Sequence, residues 1–197
     1  MSEHVMIRAV RSPAVAVLAA ITLVVAACTA EERPPETRSA EACFGSRVLS
    51  YRDLVAEVVI PSGEQCGEGT FTVVFTRGND TLARFPEERH GVVGFIGTAD
   101  VNADGRGEFF VATTATSADA TGELYAYRET ADGIERMSLA ALSDKQREGY
   151  MGGDRFGFGA PDQLVRAFPR GGSDTAWYGY EYDMGRWVEI ARPSWLR

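Results

Sequence analysis

The residues best suited to chemistry lie in segment 100–108, where oxygen-bearing side chains recur at alternate positions around a glycine. A hard cation such as Ca²⁺ is held by about six to eight oxygen ligands, drawn from carboxylates, side-chain amides and backbone carbonyls. Gly105 allows the sharp turn that brings such ligands together. The segment therefore predicts one structural Ca²⁺ site. Its predicted ligands are the side chains of Asp100, Asn102, Asp104 and Glu108 and the backbone carbonyl of Arg106.

The flanks of this segment indicate strands rather than helices. An apolar run, residues 109–112, follows it directly, as in the second strand of a β-hairpin. An EF-hand would need helices on both sides and a bidentate Glu at the twelfth loop position, which is Val111 here. An EF-hand is therefore excluded, and the cation would fasten a hairpin. The alternative is a bare Asn-Ala-Asp-Gly turn that binds no metal.

The same residues carry a family resemblance. A loop of the pattern Asp-x-Asn-x-Asp-Gly ahead of a short apolar strand resembles the FG-GAP and VCBS repeats, which form the blades of integrin-type β-propellers. Such repeats also occur in extracellular bacterial proteins, including small actinobacterial lipoproteins. The match covers about 15 residues, with Glu108 where the family more often has Asp. The resemblance implies blade-like antiparallel repeats with calcium bound in the loop.

A pattern of strand, strand, turn and strand recurs three times, at a spacing of about 54 residues. The first strands are expected at 53–60, 108–113 and 162–168, the second at 70–75, 123–127 and 177–182, and the third at 81–85, 134–137 and 187–190. Each is short, rich in β-branched or aromatic residues and bounded by Gly or Asp. Only the middle copy has the acidic loop, so one site per chain is expected.

These repeats predict a mainly β fold: three antiparallel β-meander, propeller-blade-like repeats in one compact domain. Three copies cannot close the usual propeller, which needs about four to eight blades. The domain is therefore expected to be open, or barrel-like or sandwich-like. The repeats are placed at about 46–95, 96–150 and 151–197 of a domain spanning 43–197. A helix is expected only at 139–148, with Ser138 as its cap.

The N-terminus has the pattern of an export signal. Arg8 and Arg11 precede an uncharged run, 14–27, which has the length of a signal-peptide core. The run ends in Val-Ala-Ala-Cys, which resembles the bacterial lipobox. Residues 1–27 are thus predicted to be a lipoprotein signal peptide, with Cys28 lipidated and held at the outer face of the cytoplasmic membrane. The alternatives are an ordinary cleaved signal peptide and a retained membrane anchor. The charged, proline-containing segment 28–42 is predicted to be a flexible tether.

Two further cysteines remain. Outside the cytoplasm, Cys43 and Cys66 are predicted to form a disulfide, which would close a loop of about 20 residues and contribute about 3 kcal/mol. The alternative is two separate buried thiols.

Five aromatic residues near the C-terminus have two interpretations, a binding face for a sugar or partner side chain, or sheet core, which their alternate spacing favours. They are Trp177, Tyr178, Tyr180, Tyr182 and Trp187.

Charge and motifs limit the function classes. The chain has 28 acidic against 20 basic residues and a net charge of −8, which argues against nucleic-acid binding. The sequence favours a non-enzymatic binding or structural module of the cell envelope, calcium-stabilised and tethered to the membrane, with an extracellular protein or glycan as partner. The alternatives are a secreted hydrolase or lyase using acidic residues near the calcium loop, and a purely structural or inhibitor-like envelope protein.

Overall fold

The computed structural model describes residues 43, 45–114, 122–159 and 162–193. The predicted signal peptide 1–27, the lipidation site Cys28 and the tether 28–42 lie outside the described residues. Within them, the chain forms three four-stranded antiparallel sheets, in each of which the strands follow one another in space as they do in sequence. None is closed into a barrel. The mainly β fold of three open meander repeats is thus confirmed.

Each sheet is a simple meander. The first sheet contains β1 (Gly45–Tyr51), β2 (Leu54–Ile60), β3 (Glu68–Arg77) and β4 (Asp80–His90). The second contains β5 (Val92–Ala99), β6 (Glu108–Thr114), β7 (Leu124–Thr130) and β8 (Gly133–Met137). The third contains β9 (Arg155–Phe158), β10 (Leu164–Pro169), β11 (Thr175–Glu181) and β12 (Arg186–Glu189).

The structure adds one strand to the front of each predicted repeat. These first strands, β1, β5 and β9, contain glycine and have few fully buried side chains. They therefore lack the clear apolar pattern of the strands that follow them in sequence. The first sheet ends at His90 and the second begins at Val92. Strand β5 therefore lies across the boundary that the sequence places at 95/96.

The second sheet is the middle layer of the fold. Phe109 and Val111 of β6 pack into the core shared with the first sheet, whereas Phe110 packs into the core shared with the third. All three side chains are fully buried, and burying each one stabilises the fold by about 1.5–3 kcal/mol. Strand β6 is therefore buried on both faces, because the sheet to which it belongs has another sheet packed on each side.

The sheets also meet along their first strands. Strand β5 of the second sheet contacts both β1 of the first sheet and β9 of the third. The last strands of the first and second sheets, β4 and β8, are also in contact. Residues from the beginnings of all three repeats are thereby brought together, although these strands are far apart in sequence.

The helix expected at 139–148 is wrong, since this segment is irregular up to residue 143 and then forms turns at 144–149. Its polar groups are used to dock on the third sheet instead of closing a helix. The Trp187 indole donates to the Ala140 carbonyl at 2.7 Å, and the Gln146 side chain donates to the Trp187 carbonyl at 2.7 Å. Leu142 is buried in the same core. Tertiary contacts override helix propensity here.

The predicted disulfide joins Cys43 to Cys66, with 23 residues of sequence separation and 5.3 Å between the Cα atoms. The bridge ties the first described residue to the β2–β3 connection. The domain is therefore covalently pinned at the end where the chain enters it.

Candidate functional site

The acidic segment is the connection of a β-hairpin, as its sequence predicts. It runs from β5 to β6, and the two strands pair in antiparallel register with Ala99 opposite Glu108. A cation held in this loop would join the end of β5 to the beginning of β6, two neighbouring strands of the middle sheet.

Backbone amides of the loop hold the first two carboxylates in place. The Asp100 carboxylate accepts from the Asp104 N–H at 3.0 Å and the Gly105 N–H at 2.8 Å, one on each oxygen. Oδ1 of Asp104 accepts from the Arg106 N–H at 2.8 Å. Gly105 has φ of +83°, the left-handed conformation that glycine tolerates best. The chain therefore curls around its own acidic side chains.

Glu108 completes the group from the first position of β6. Its Oε2 accepts from the Val101 N–H at 2.9 Å, and its Oε1 accepts from the Asn102 side-chain amide at 3.1 Å. The same amide nitrogen donates to Oδ2 of Asp104 at 3.1 Å. Every carboxylate oxygen of Asp100, Asp104 and Glu108 thus accepts one hydrogen bond, and each keeps a lone pair for a metal.

The loop concentrates negative charge around a buried group. Glu108 is 1% exposed, and its burial, with repulsion from Asp104 and Asp100, raises the pKa of its carboxyl to about 7. Carboxylate and amide oxygens are the donors that Ca²⁺ prefers, and its charge would offset this repulsion, so the donor set fits the ion. In the described ranges, no three His, Cys, Asp or Glu side chains already converge as closely as a bound metal requires.

The first sheet supports the loop from outside. A Cβ placed on Gly107 would lie 2.4 Å from Cγ of Tyr51, so the ring of Tyr51 excludes any side chain at position 107. A Cβ on Gly105 would lie 3.5 Å from the Arg52 guanidinium. The turn between β1 and β2 therefore packs against the acidic loop and limits the conformations it can take.

A pocket of about 550 Å³ lies beside the loop. One wall is formed by Asp100 and Asn102, and the other by Tyr182 and Asp183, which follow β11. The Tyr182 hydroxyl accepts a hydrogen bond from Nη1 of Arg128 at 2.7 Å. Asp162 and Glu181 also line this pocket, which is consequently acidic.

The five aromatic residues do not form one exposed surface. Tyr178, Tyr180 and Trp187 are buried in the core between the second and third sheets, so a binding face is wrong for these three. The reason is strand alternation, because Tyr178 and Tyr180 point toward the middle sheet. Trp177 points the other way and is half-buried, and Tyr182 borders the acidic pocket.

A buried polar cluster near the start of β9 was not predicted from sequence. Asp154 is 1% exposed and accepts from Nε of Arg166 at 2.6 Å, from the Gly122 N–H at 3.0 Å and from the Tyr150 hydroxyl. Burial, followed by the Asp154 carboxylate, raises the pKa of Tyr150 to about 12 and keeps its hydroxyl protonated as a donor. The sequence offers no motif for the cluster, since its members come from three separate segments of the chain.

No protein-family model matches the chain, and no curated protein matches it in sequence. The resemblance of segment 100–108 to FG-GAP and VCBS repeats stays a prediction.

Proposed function

We propose that this protein is a calcium-stabilised β-repeat module of the cell envelope, tethered through a lipid on Cys28, that binds an extracellular protein or glycan or serves a structural role. The observation that supports this most is the arrangement of Asp100, Asp104 and Glu108, three carboxylates fixed around one hairpin loop. A cation at this place stabilises the connection into β6, the strand with both faces buried.

A structural role for the ion agrees with the surroundings of the loop better than a catalytic role. The most buried carboxylate, Glu108, is 1% exposed, and both its oxygens accept hydrogen bonds from the loop itself. A general acid or base must reach a substrate proton directly or through one water. We therefore assign the loop no catalytic step, and the hydrolase or lyase alternative would have to use the adjacent acidic pocket.

Calcium is expected to raise the thermal stability of the full chain. At a free concentration 100 times the Kd, a ligand of the folded state adds about 2.7 kcal/mol. Extracellular sites often have Kd values of about 10⁻⁴–10⁻³ M, so the titration must extend to tens of millimolar. Asp104→Ala should remove most of the gain, because it deletes a charged ligand. The measurement is the unfolding temperature with Ca²⁺, with Mg²⁺ and with chelator.

Asp132→Ala is the matched control, since Asp132 lies exposed in the turn before β8. It should keep the full response to calcium. An unfolding temperature that ignores tens of millimolar Ca²⁺ and chelator alike would show that the loop is a bare hairpin turn, and the calcium part of the proposal would fail.

The anchor is tested separately. In the described part of the chain, no helix is long and apolar enough to cross a membrane. Cys28→Ser should abolish lipid labelling and release the domain from the membrane fraction, because one thiol carries the lipid. The matched control is Cys43→Ser with Cys66→Ser, which removes the other two cysteines and should remain labelled and membrane-bound. Retention of Cys28→Ser in the membrane would contradict lipid anchoring.

A further inference from the structure

A second site lies where the first strands of the three sheets meet. A cavity of about 630 Å³ is lined by Arg47 of β1, Gly94 of β5, Thr114 of β6 and Arg155 of β9, next to Cys43. A cavity of this volume is in the range of small-molecule sites. It is a different place from the acidic loop, and its use does not depend on calcium.

Among the described residues, two arginines of the cavity wall have no carboxylate partner. Eight arginines of the described residues have a carboxylate within 4.0 Å, and Arg47 and Arg155 are not among them. The one acidic residue of the cavity wall, Asp154, is already paired with Arg166 at 2.6 Å and has no exposed side-chain surface. Two guanidinium groups therefore face this cavity with no counter-charge from the described residues.

Further hydrogen-bonding capacity borders the same space. Nη1 of Arg47 donates to the Val93 carbonyl at 2.9 Å, which orients the guanidinium and, within the described residues, leaves its other N–H groups for a ligand. The strand register shifts between Val93 and Phe95, so Gly94 lies in a β-bulge, an irregularity common at binding sites. A Cβ on Gly94 would lie 2.4 Å from the Thr114 hydroxyl, so the glycine gives this hydroxyl room at the cavity wall.

From this geometry we propose that the cavity binds a phosphate group, held by the guanidinium groups of Arg47 and Arg155 with the Thr114 hydroxyl as a third donor. Arginine matches the oxygen geometry of phosphate through paired N–H donors. Two guanidinium charges balance a phosphomonoester, which carries about −1.5 to −2 at neutral pH. A second cavity of about 370 Å³ shares Arg155 and contains Trp177, which gives an attached organic group a place to lie.

The test is calorimetric titration of the full chain with inorganic phosphate at low salt and without calcium. The wild type should show saturable binding, and Arg47→Gln or Arg155→Gln should each weaken it by about tenfold or more, since each removes charged hydrogen bonds. Arg84→Gln is the matched control, because Arg84 is also exposed and has no carboxylate partner among the described residues, but it lies on β4, outside the cavity. It should alter affinity less than about twofold.

Arg155 is exposed and forms no ion pair within the described ranges, so its replacement should leave the fold intact. Arg155→Lys keeps the charge but loses the planar pair of donors, and should still weaken binding. Asp104→Ala should bind phosphate like the wild type, which separates this site from the proposed calcium loop. Absence of saturable binding, or equal weakening by Arg84→Gln, would overturn the phosphate site.

Vesicles identify the source of the phosphate. The chain with Cys28→Ser is sedimented with phosphatidylcholine vesicles that contain or lack phosphatidic acid. Binding only to phosphatidic acid, lost in Arg155→Gln, would support the site and assign it to a lipid headgroup. Phosphate binding in calorimetry without vesicle binding would support the site and assign it to a soluble phosphate ester.

Discussion

Asp154→Ala is expected to lower the free energy of unfolding by about 3–5 kcal/mol, because it leaves the guanidinium of Arg166 largely buried without its counter-charge. The Asp154 side chain is 0% exposed and that of Arg166 is 15% exposed, and Nε of Arg166 lies 2.6 Å from Oδ1 of Asp154. The substitution also removes the acceptor of the Gly122 N–H and of the Tyr150 hydroxyl. Urea unfolding at neutral pH measures the loss.

The matched control is Asp53→Ala, which removes an aspartate from an exposed ion pair. Asp53 lies 2.9 Å from Nε of Arg77, but its side chain is 70% exposed. Exposed pairs contribute about 0–1 kcal/mol, so the control should lose no more than that. If Asp154→Ala lost no more unfolding free energy than Asp53→Ala, water would be solvating Arg166 and the ion pair would not be a buried one. Combining Asp154→Leu with Arg166→Met should recover much of the stability, because no unpaired charge is then buried.

The repeats and their strongest strands were predictable because they depend on local pattern. Strand β6 is apolar at every position from Phe109 to Ala112, and the three-fold spacing placed its counterparts β2 and β10 correctly. The acidic loop was also predictable as a hairpin connection, since Gly105 and the alternating Asp and Asn residues define a turn within nine residues.

The cavity and the polar cluster were not predictable, because both are made by contacts between distant strands. Arg47 and Arg155 look like ordinary surface residues in sequence, and they meet only because β1 and β9 both contact β5. For the same reason, alternate spacing could not decide whether Tyr178 and Tyr180 face a core or a ligand. That depended on which face of the third sheet the middle sheet covers.

Arg89→Met is expected to lower the free energy of unfolding by about 3 kcal/mol or more, because it removes four charged hydrogen bonds from a buried guanidinium to backbone carbonyls. Arg89 of β4 is 1% exposed, and its guanidinium donates to the carbonyls of Cys66 at 2.7 Å and Gly91 at 2.8 Å. It also donates to the carbonyls of Thr70 at 3.2 Å and Gln65 at 3.1 Å. Arg84→Met, the control on the same strand, replaces an exposed arginine and should change stability by no more than about 0.5 kcal/mol.

The position of these bonds connects Arg89 to the disulfide. Arg89 clamps the segment that contains Cys66, and Cys66 is bridged to Cys43, the residue at which the described domain begins. Without the bridge, the segment can move and expose its carbonyls to water, so Arg89→Met should cost less in a Cys43→Ser, Cys66→Ser background. A double-mutant cycle should give a coupling energy of about 0.5–3 kcal/mol. Strict additivity of the two losses would show that Arg89 and the Cys43–Cys66 disulfide act independently. Coupling would mean that they act together to fix the end of the domain to which the predicted tether is joined.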